Sequence, residues 1–279
     1  MPAYAPSQIE DLKQIANRLR RESLRMIYER GAGHPGGSLS AAEIMAVLYF
    51  QRLRIDPAHP GWPDRDRFIL SKGHASALLY AALALRGFIP EAELRRWGQV
   101  DCPLQGHPDR LTTPGVDMNA GILGHGLPVG VGLALAARRL GKTWRTYVLL
   151  GDGECQGGIV WEGAQAAAKF GLDTLTAIVD FNGVQLDGPV SEIMPLEPFA
   201  ERWRSFGWEV LEIDGHSVGS ILSALDEAAG VRGKPAVIIA HTVKGKGVSF
   251  MENQSYWHGN VPDAEQYARA MAELEAEVG

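Results

Sequence analysis

Apolar residues recur along the chain with two different spacings, and the alternation between them predicts an α/β protein. Short apolar runs, such as residues 147–150 and 175–179, have the length of buried strands. Longer stretches carry apolar residues every three to four positions, as amphipathic helices do. From about residue 120 onward the two kinds alternate regularly. This pattern predicts a doubly wound, mainly parallel sheet flanked by helices, with right-handed crossovers.

The individual elements follow from these spacings and from residues that start or stop helices. Helices are predicted over residues 7–29, 44–50, 78–85, 90–97, 127–140, 159–170, 197–206, 218–229 and 264–277, and strands over residues 68–70, 147–150, 175–179, 208–213 and 236–240. Ser7 and Ser40, each followed three residues later by glutamate, predict capping boxes, and Asp263 predicts the cap of the last helix. No repeat, linker or boundary interrupts the chain, so residues 1–279 are predicted to form a single domain with an N-terminal helical extension.

Composition and charge exclude several classes of protein. The chain is 46% hydrophobic and 22% charged, with a net charge of −6, which predicts a globular protein with no general attraction to nucleic acid or anionic membrane. The longest apolar stretch, residues 126–137, is too short and too rich in glycine to span a bilayer. Cys102 and Cys155 form neither a disulfide framework nor a metal-site spacing. We therefore predict a soluble protein of the reducing cytoplasm, with no catalytic role for Cys155.

Oxygen-bearing side chains follow two neighbouring strands of the predicted sheet. One strand runs into the sequence GDG at residues 151–153, and the next ends in DFN at residues 180–182. Because carboxyl ends of parallel strands lie side by side, Asp152 and Asn182 can converge on one cation. The glycines let the backbone approach a ligand closely, and the following helix presents its amino end to an anion. A divalent metal clamped to a diphosphate satisfies these features together, although GDG alone is also a common turn sequence.

Histidines are concentrated in loops that contain glycine or proline, beside the predicted strand ends. They are His34, His74, His107, His125 and His258. One loop histidine is more often a surface residue than a catalyst. Several in such turns favour a cluster, because imidazole can donate, accept and shuttle protons near neutral pH. Residues 99–125, which lack periodicity and contain two of these histidines, are predicted to form a functional loop.

Six motifs together make the chain similar to a known family. In order they are GHPGGSLSAAEI, DRFILSKGHAS, QGHPD, GILGHGL, GDGE…DFN and HTVKGKGV…WHG. From about residue 8 to 275 the chain resembles the amino-terminal half of transketolases, and in particular the separately encoded, diphosphate-binding subunit of a split transketolase. The resemblance implies transfer of a two-carbon ketol unit from a ketose or ketose phosphate donor to an aldehyde acceptor.

The resemblance also implies thiamine diphosphate, a divalent metal and a role for each matching residue. Asp152, Asn182 and the backbone carbonyl of Val184 would bind Mg²⁺ or Ca²⁺. His74, Gly121, Leu123, Gly153, Glu154, Asn182 and Lys244 would hold the cofactor. The catalytic residues would be His34, His107 and His258, which would line the substrate channel and aid proton transfers. A solvated loop lysine is the alternative for Lys244, and a loop-packing role is expected for His125, where the family often has glutamine.

Two departures from the family pattern have consequences. Gly157 stands where the family usually has a glutamate, while Glu162 is retained. The family's paired glutamates are thought to link the two active sites of a dimer, so that link is in doubt here. In full-length members of the family a second domain supplies the glutamate that protonates the aminopyrimidine, and we expect residues 1–279 not to include such a domain. The resemblance therefore implies a partner, the C-terminal pyrimidine-binding subunit, in an α2β2 heterotetramer.

Two other functions remain open from the sequence. The alpha subunit of a 2-oxoacid dehydrogenase decarboxylating component shares the GDG…N pattern, but it should lack the GHPGG, SKGH and KGKGV segments. A non-catalytic regulatory homologue would keep the fold without turnover, and Gly157 leaves that reading open. The motifs do not identify the donor, the acceptor or the pathway.

Overall fold

The computed structural model describes residues 4–276, which form helices and the strands of one sheet. The helices are α1 (Pro6–Arg30), α2 (Pro35–Ser40), α3 (Ala42–Val47), α4 (Ser76–Arg86), α5 (Gly126–Arg139), α6 (Gly158–Lys169), α7 (Val190–Ile193), α8 (Phe199–Ser205), α9 (Val218–Gly230) and α10 (Ala264–Ala276), and the strands are β1 (Arg67–Leu70), β2 (Thr146–Gly151), β3 (Leu175–Phe181), β4 (Glu209–Asp214) and β5 (Ala236–His241). None of these helices combines the length and apolarity needed to cross a membrane.

The five strands form one parallel sheet in the order β1-β2-β3-β5-β4. In its register Gly151 lies opposite Asp180, and Phe181 lies opposite His241. The carboxyl ends of β2, β3 and β5 therefore share one edge of the sheet. The prediction of a mainly parallel α/β sheet flanked by helices is confirmed.

Both faces of the sheet are buried, which explains why the central strands are continuously apolar. In β2, Tyr147 and Leu149 point into a core formed with α1, α3, α4 and α9. Val148 and Leu150 point to the opposite face, into a core formed with α5, α6 and α8. The alternation along the strand thus fixes the sheet between two helical layers.

A third, smaller apolar cluster joins the two ends of the described chain. Its buried members include Leu24, Leu39, Trp257 and Leu274, and the ring of Tyr28 stacks on Tyr267 with centroids 4.0 Å apart. Because Leu39 and Trp257 belong to the cluster, the segments that carry His34 and His258 are brought together.

The structure corrects two predicted caps and confirms a third. Helix α1 begins at Pro6, with no side-chain cap, because proline already has the φ of a first helical residue and lacks the N–H that a cap would satisfy. Ser40 ends α2, and its hydroxyl donates to Asp180 at 2.6 Å. Asp263 does cap α10, accepting from the Gln266 backbone N–H at 2.8 Å.

Two predicted helices have a different form. The helix predicted over residues 44–50 is an α-helix only to Val47 and continues as a π-helix over Leu48–Arg52. The segment predicted as a helix over residues 90–97 is a 3-10 helix over Glu91–Arg96. The predicted end of the last helix, Glu277, lies outside the described residues.

Candidate active site

A cavity of about 350 Å³ opens at the carboxyl ends of β2 and β3, a volume in the range of small-molecule sites. The predicted site residues that line it are His74, Leu123, Asp152, Gly153, Glu154, Asn182, Val184, Lys244 and His258. Several glycines keep it open. A Cβ on Gly37, for example, would lie 3.2 Å from His74 Nε2 and 3.3 Å from Lys72 Nζ.

Three oxygen-bearing groups converge at the turn after β3. The Asp152 carboxylate accepts from the backbone N–H of Gly153 at 2.7 Å and of Gly183 at 2.5 Å. Asn182 Oδ1 accepts from the Val184 N–H at 3.1 Å, and the Val184 carbonyl lines the same turn. Burial, and then the nearby Asp180 charge, raise the pKa of Asp152 to about 6. A bound cation would stabilise the ionised carboxylate, so these residues fit a divalent metal.

The set contains one carboxylate, one amide oxygen and one backbone carbonyl. In residues 4–276 no group of three or more His, Cys, Asp or Glu side chains could hold a metal ion. Any metal at this turn therefore depends on amide and carbonyl oxygens as well as on Asp152, and these are ligands that Mg²⁺ and Ca²⁺ accept.

Two buried lysines face the cavity. Lys72 is 1% exposed and Lys244 is 2% exposed, so the alternative of a solvated loop lysine is wrong for Lys244. The Lys244 ammonium donates to the Val184 carbonyl and to His258 Nδ1, both at 3.0 Å. Burial, and then the Lys72 charge, lower the pKa of Lys244 to about 8. A buried ammonium beside a second positive charge would be stabilised by a bound anion, as the predicted diphosphate requires.

Asp180 joins the segments around the cavity, and the sequence did not single it out. Its fully buried carboxylate accepts from Ser40 at 2.6 Å, from Asn182 Nδ2 at 3.3 Å, and from Lys72 and Thr242. Burial alone would raise the pKa of Asp180, but the Lys72 ammonium and these donors hold it below the usual range. In the sequence, only its position at a strand end, two residues before Asn182, could have indicated this role.

Three of the predicted histidines form a cluster of neutral imidazoles. The rings of His34, His74 and His258 have centroids 5.1 to 5.5 Å apart. Burial, and then Lys244, lower the pKa of His258 to about 3. Burial, and then Lys72, bring the pKa of His74 well below its ordinary value, and burial followed by His107 lowers that of His34. Each ring can therefore both donate and accept at neutral pH.

Three of the remaining predicted residues, His107, Gly121 and His125, do not line the cavity. His107 and Gly121 are exposed, and a Cβ on Gly121 would lie 3.5 Å from the His107 ring. The His125 ring lies 3.2 Å from the Leu123 carbonyl and does not line the cavity.

Glu154 points into the protein and holds the loop beside the cavity. Its buried carboxylate accepts from the Gly124 N–H at 2.7 Å, from the Gly151 N–H at 2.9 Å and from the Ser71 hydroxyl. Next to it, burial and then the Glu154 charge raise the pKa of the Cys155 thiol well above its ordinary value. That environment disfavours a reactive thiolate.

Gly157 does not need a glycine's conformational freedom. Its φ is −71°, and an added Cβ would meet only the Glu154 carbonyl, at 3.3 Å. Glu162 is exposed on α6. A glutamate at position 157 would therefore need no change in φ, but the Glu154 carbonyl would have to shift by a few tenths of an ångström.

A parallel sheet with this acidic, amide-bearing and glycine-rich cavity at its strand ends has the architecture of an α/β domain that binds a ligand at the carboxyl ends of its strands. The sequence matches the family described as "Transketolase, thiamine diphosphate binding domain" over residues 12–277. The chain belongs to the transketolase family, as predicted.

Two curated relatives match along nearly their whole length. The 6-deoxy-6-sulfo-D-fructose transketolase subunit of Clostridium sp. (strain MSTE9) is 45% identical, over 96% of this chain and 97% of the relative. A subunit of the apulose-4-phosphate transketolase of Phocaeicola vulgatus is 42% identical, over 96% and 95%. These matches confirm the predicted likeness to the amino-terminal subunit of a split transketolase, and they do not favour the 2-oxoacid dehydrogenase alternative.

Solved transketolases share the fold over a part of their length. The structure of transketolase from Leishmania mexicana has a TM-score of 0.91 at 31% identity, covering 95% of this chain and 41% of that chain. Transketolase from Campylobacter jejuni has a TM-score of 0.90 at 35% identity, covering 96% and 43%. The present chain thus spans less than half the length of these enzymes.

Proposed function

We propose that this chain is the cofactor-anchoring subunit of a transketolase that depends on thiamine diphosphate and a divalent metal. With a partner subunit it transfers a two-carbon ketol unit from a ketose or ketose phosphate to an aldehyde. The observation that carries the proposal is the cavity at the strand ends, where the oxygens of Asp152, Asn182 and Val184 face two buried lysines and a cluster of neutral histidines.

Each group on this chain has a task in that reaction. Asp152, Asn182 and the Val184 carbonyl hold Mg²⁺ or Ca²⁺, and the site residues that hold the cofactor beside it are His74, Gly121, Leu123, Gly153 and Lys244. Glu154 acts indirectly, by fixing the Gly124 backbone. The chemistry that the bound cofactor supplies is a nucleophilic carbanion and an electron sink.

The catalytic tasks fall to His34, His258 and, at the rim, His107. Sugar hydroxyls are uncharged, so groups that orient them and move their protons need no permanent charge. His34 and His258 are suited to this because their lowered pKa values keep the imidazoles neutral.

A partner subunit is supported by apolar side chains around the mouth of the cavity. Leu123 and Leu186 line it while 48% and 60% exposed, and Ile122 and Met194 are 71% and 57% exposed. Exposed apolar groups beside a site favour coverage by another surface. We propose a pyrimidine-binding subunit there, in an α2β2 assembly within the reducing cytoplasm, and a sugar or sugar phosphate as substrate.

The metal assignment is tested by Asp152→Ala and Asn182→Ala. Each variant loses an oxygen ligand from a hard cation, so Mg²⁺-dependent binding of thiamine diphosphate, measured by calorimetry with the partner, should disappear while circular dichroism stays unchanged. Asp187→Ala removes an exposed carboxylate at the same rim and should bind like the parent. Parent-like titration of either ligand variant would contradict the assignment.

The partner requirement is tested by assaying ketol transfer with the two polypeptides separately and then together. The chain described here should be inactive by itself and active with a subunit that carries the pyrimidine-binding domain. Robust transfer by this chain alone contradicts the two-subunit proposal, and no transfer by the reconstituted pair from any ketose favours the regulatory homologue.

A further inference from the structure

A second buried polar cluster lies behind the cavity without lining it. Arg20 of α1 and Glu43 of α3 are 3% and 7% exposed, and Arg20 Nη2 lies 2.7 and 2.6 Å from the two Glu43 oxygens. Arg20 Nε also donates to the Leu39 carbonyl at 3.0 Å. A buried ion pair of this kind is weak support for stability, because removing both charges from water offsets their attraction. A role for this ion pair must therefore be sought in its contacts with the rest of the chain.

His216, in the turn between β4 and α9, connects this ion pair to the loop after β5. Its Nδ1 lies 3.1 Å from Glu43 Oε2, and its Nε2 lies 2.8 Å from the Val243 backbone nitrogen. A backbone N–H can only donate, so Nε2 accepts and the imidazole hydrogen resides on Nδ1, where it donates to Glu43. The Glu43 carboxylate thus fixes the imidazole tautomer in which Nε2 can accept the hydrogen bond from the Val243 N–H.

The residue after Val243 is Lys244, whose ammonium reaches the Val184 carbonyl and His258 inside the cavity. Backbone bonds hold the loop on either side: the Thr242 N–H donates to Phe181 at 3.1 Å, and the Gly245 N–H donates to Gly36 at 3.0 Å. His216 supplies the bond at the position between them. The direction of the Lys244 side chain depends on this backbone.

We propose that His216 is a positioning residue for Lys244. By accepting the Val243 N–H, with its tautomer fixed by Glu43, it orients the backbone so that the ammonium faces the cavity and meets an anionic ligand there. The role toward a diphosphate rests on the proposed function, whereas the hydrogen bond to Val243 does not.

Two substitutions at His216 test the contacts of its two ring nitrogens separately. In His216→Gln the side-chain oxygen can occupy the place of Nε2 and still accept from Val243. In His216→Asn the shorter amide can reach Glu43 but not Val243. Neither amide changes charge with pH. If His216 served only in packing, the two variants would be equally impaired. If it positions the Val243 backbone, glutamine should restore the behaviour of the parent and asparagine should not.

The measurements are amide hydrogen exchange at Val243 in the metal- and cofactor-free chain, and affinity for thiamine diphosphate with Mg²⁺ and the partner by calorimetry. His216→Asn should lose protection at Val243 and bind the cofactor about tenfold more weakly, the effect of one unsatisfied buried donor. His216→Gln should stay close to the parent in both. His241→Asn, which removes a half-exposed imidazole at the end of β5, should change neither.

Retained protection at Val243 in a folded His216→Asn protein overturns the proposal, as does equal loss of affinity in the two variants. If His216→Asn does not fold, the glutamine variant decides, because lost protection with parent-like affinity contradicts positioning. A parent assembly that binds no thiamine diphosphate would refute the proposed function, while the exchange measurement would still decide the His216–Val243 contact.

Discussion

At the scale of single residues, charges are concentrated where water is excluded. Asp180 is the clearest case, because donors from four segments meet on one fully buried carboxylate. Its contact with Asn182 Nδ2 also orients that amide, so that Oδ1 is left facing the turn at Val184. One side chain therefore holds the loops together and sets the direction of a proposed metal ligand.

Replacing Asp180 by asparagine should be strongly destabilising. The Lys72 ammonium would remain buried without its carboxylate, which costs about 3–5 kcal/mol. Urea unfolding of Asp180→Asn measures this, and Asp187→Asn, at an exposed carboxylate, should stay within about 0.5 kcal/mol of the parent. Similar unfolding midpoints for the two variants would show that the buried pair is not formed.

Gly157 provides a prediction about coupling between sites. Because position 157 has no carboxylate that could couple with Glu162, we expect both cofactor sites of the proposed α2β2 assembly to fill and activate independently. Gly157→Glu should make them inequivalent, since the φ of −71° suits any residue and the Glu154 carbonyl has to shift by only a few tenths of an ångström. Cofactor titration and pre-steady-state activation would report it. Inequivalent sites already in the parent, unchanged by the substitution, contradict the idea.

At the scale of elements, α5 shows how closely the helical layer approaches the sheet. Gly130 faces β2, where an added Cβ would lie 2.6 Å from Val148 Cγ2, whereas a Cβ on Gly132 would meet nothing within 4 Å. The two glycines, two residues apart on one helix, thus have opposite surroundings. The close approach at Gly130 lets the helix pack on the face of the sheet to which Val148 points.

This pair gives a matched test of the packing. Gly130→Ala should lower the free energy of unfolding by about 1–3 kcal/mol, because the methyl group overpacks the contact with Val148. Gly132→Ala should raise it by about 0.5–1 kcal/mol, because alanine restricts the unfolded chain and favours helix. Denaturant unfolding of both variants measures the difference. Equal shifts would mean that α5 does not contact β2 as described.

The sequence predicted the elements best where burial is continuous. Runs at residues 147–150, 175–179 and 236–240 correspond to strands that extend them by one or two residues. Helix α2 was missed because its glycines and serines have no apolar period, and Ser40 serves Asp180 instead of capping a helix. The pairing of Asp152 with Asn182 follows from parallel strands. The contacts of Asp180 and His216 do not, because they depend on strand order, which local spacing does not encode.

At the scale of the whole molecule, a chain of net charge −6 surrounds a cavity with buried ammonium groups and neutral imidazoles. The site is carried at one edge of a sheet whose two faces are filled by apolar cores. The apolar burial that stabilises the fold therefore lies mostly away from the site, whereas several groups with shifted pKa values lie within it.

The cofactor-free chain should lose stability on acidification, in part through the histidines. Below pH 6.5 a histidine in the unfolded chain binds a proton, whereas His74 in the folded protein does not. The unfolded state therefore binds more protons, and the free energy of unfolding decreases as the pH is lowered. For His258 this loss of stability continues until the pH approaches the pKa of the folded state, about 3. Urea unfolding at pH 7, 6 and 5 should show a shallower decline for His74→Gln than for the parent. The opposite contribution of Asp152 is common to both proteins, so parallel declines would exclude a lowered pKa at His74.

The contact between His34 and His258, with ring centroids 5.5 Å apart, has a consequence for how the protein is made. A nascent chain is synthesised from its amino terminus at roughly 5–20 residues per second, and a domain folds as a unit. The segment with His34 is therefore synthesised long before the one that carries Lys244 and His258. Until that late segment emerges, one wall of the cavity is absent. Loading of an anionic ligand must then follow release of nearly the entire polypeptide, and a prematurely terminated chain would have a sheet but no competent pocket.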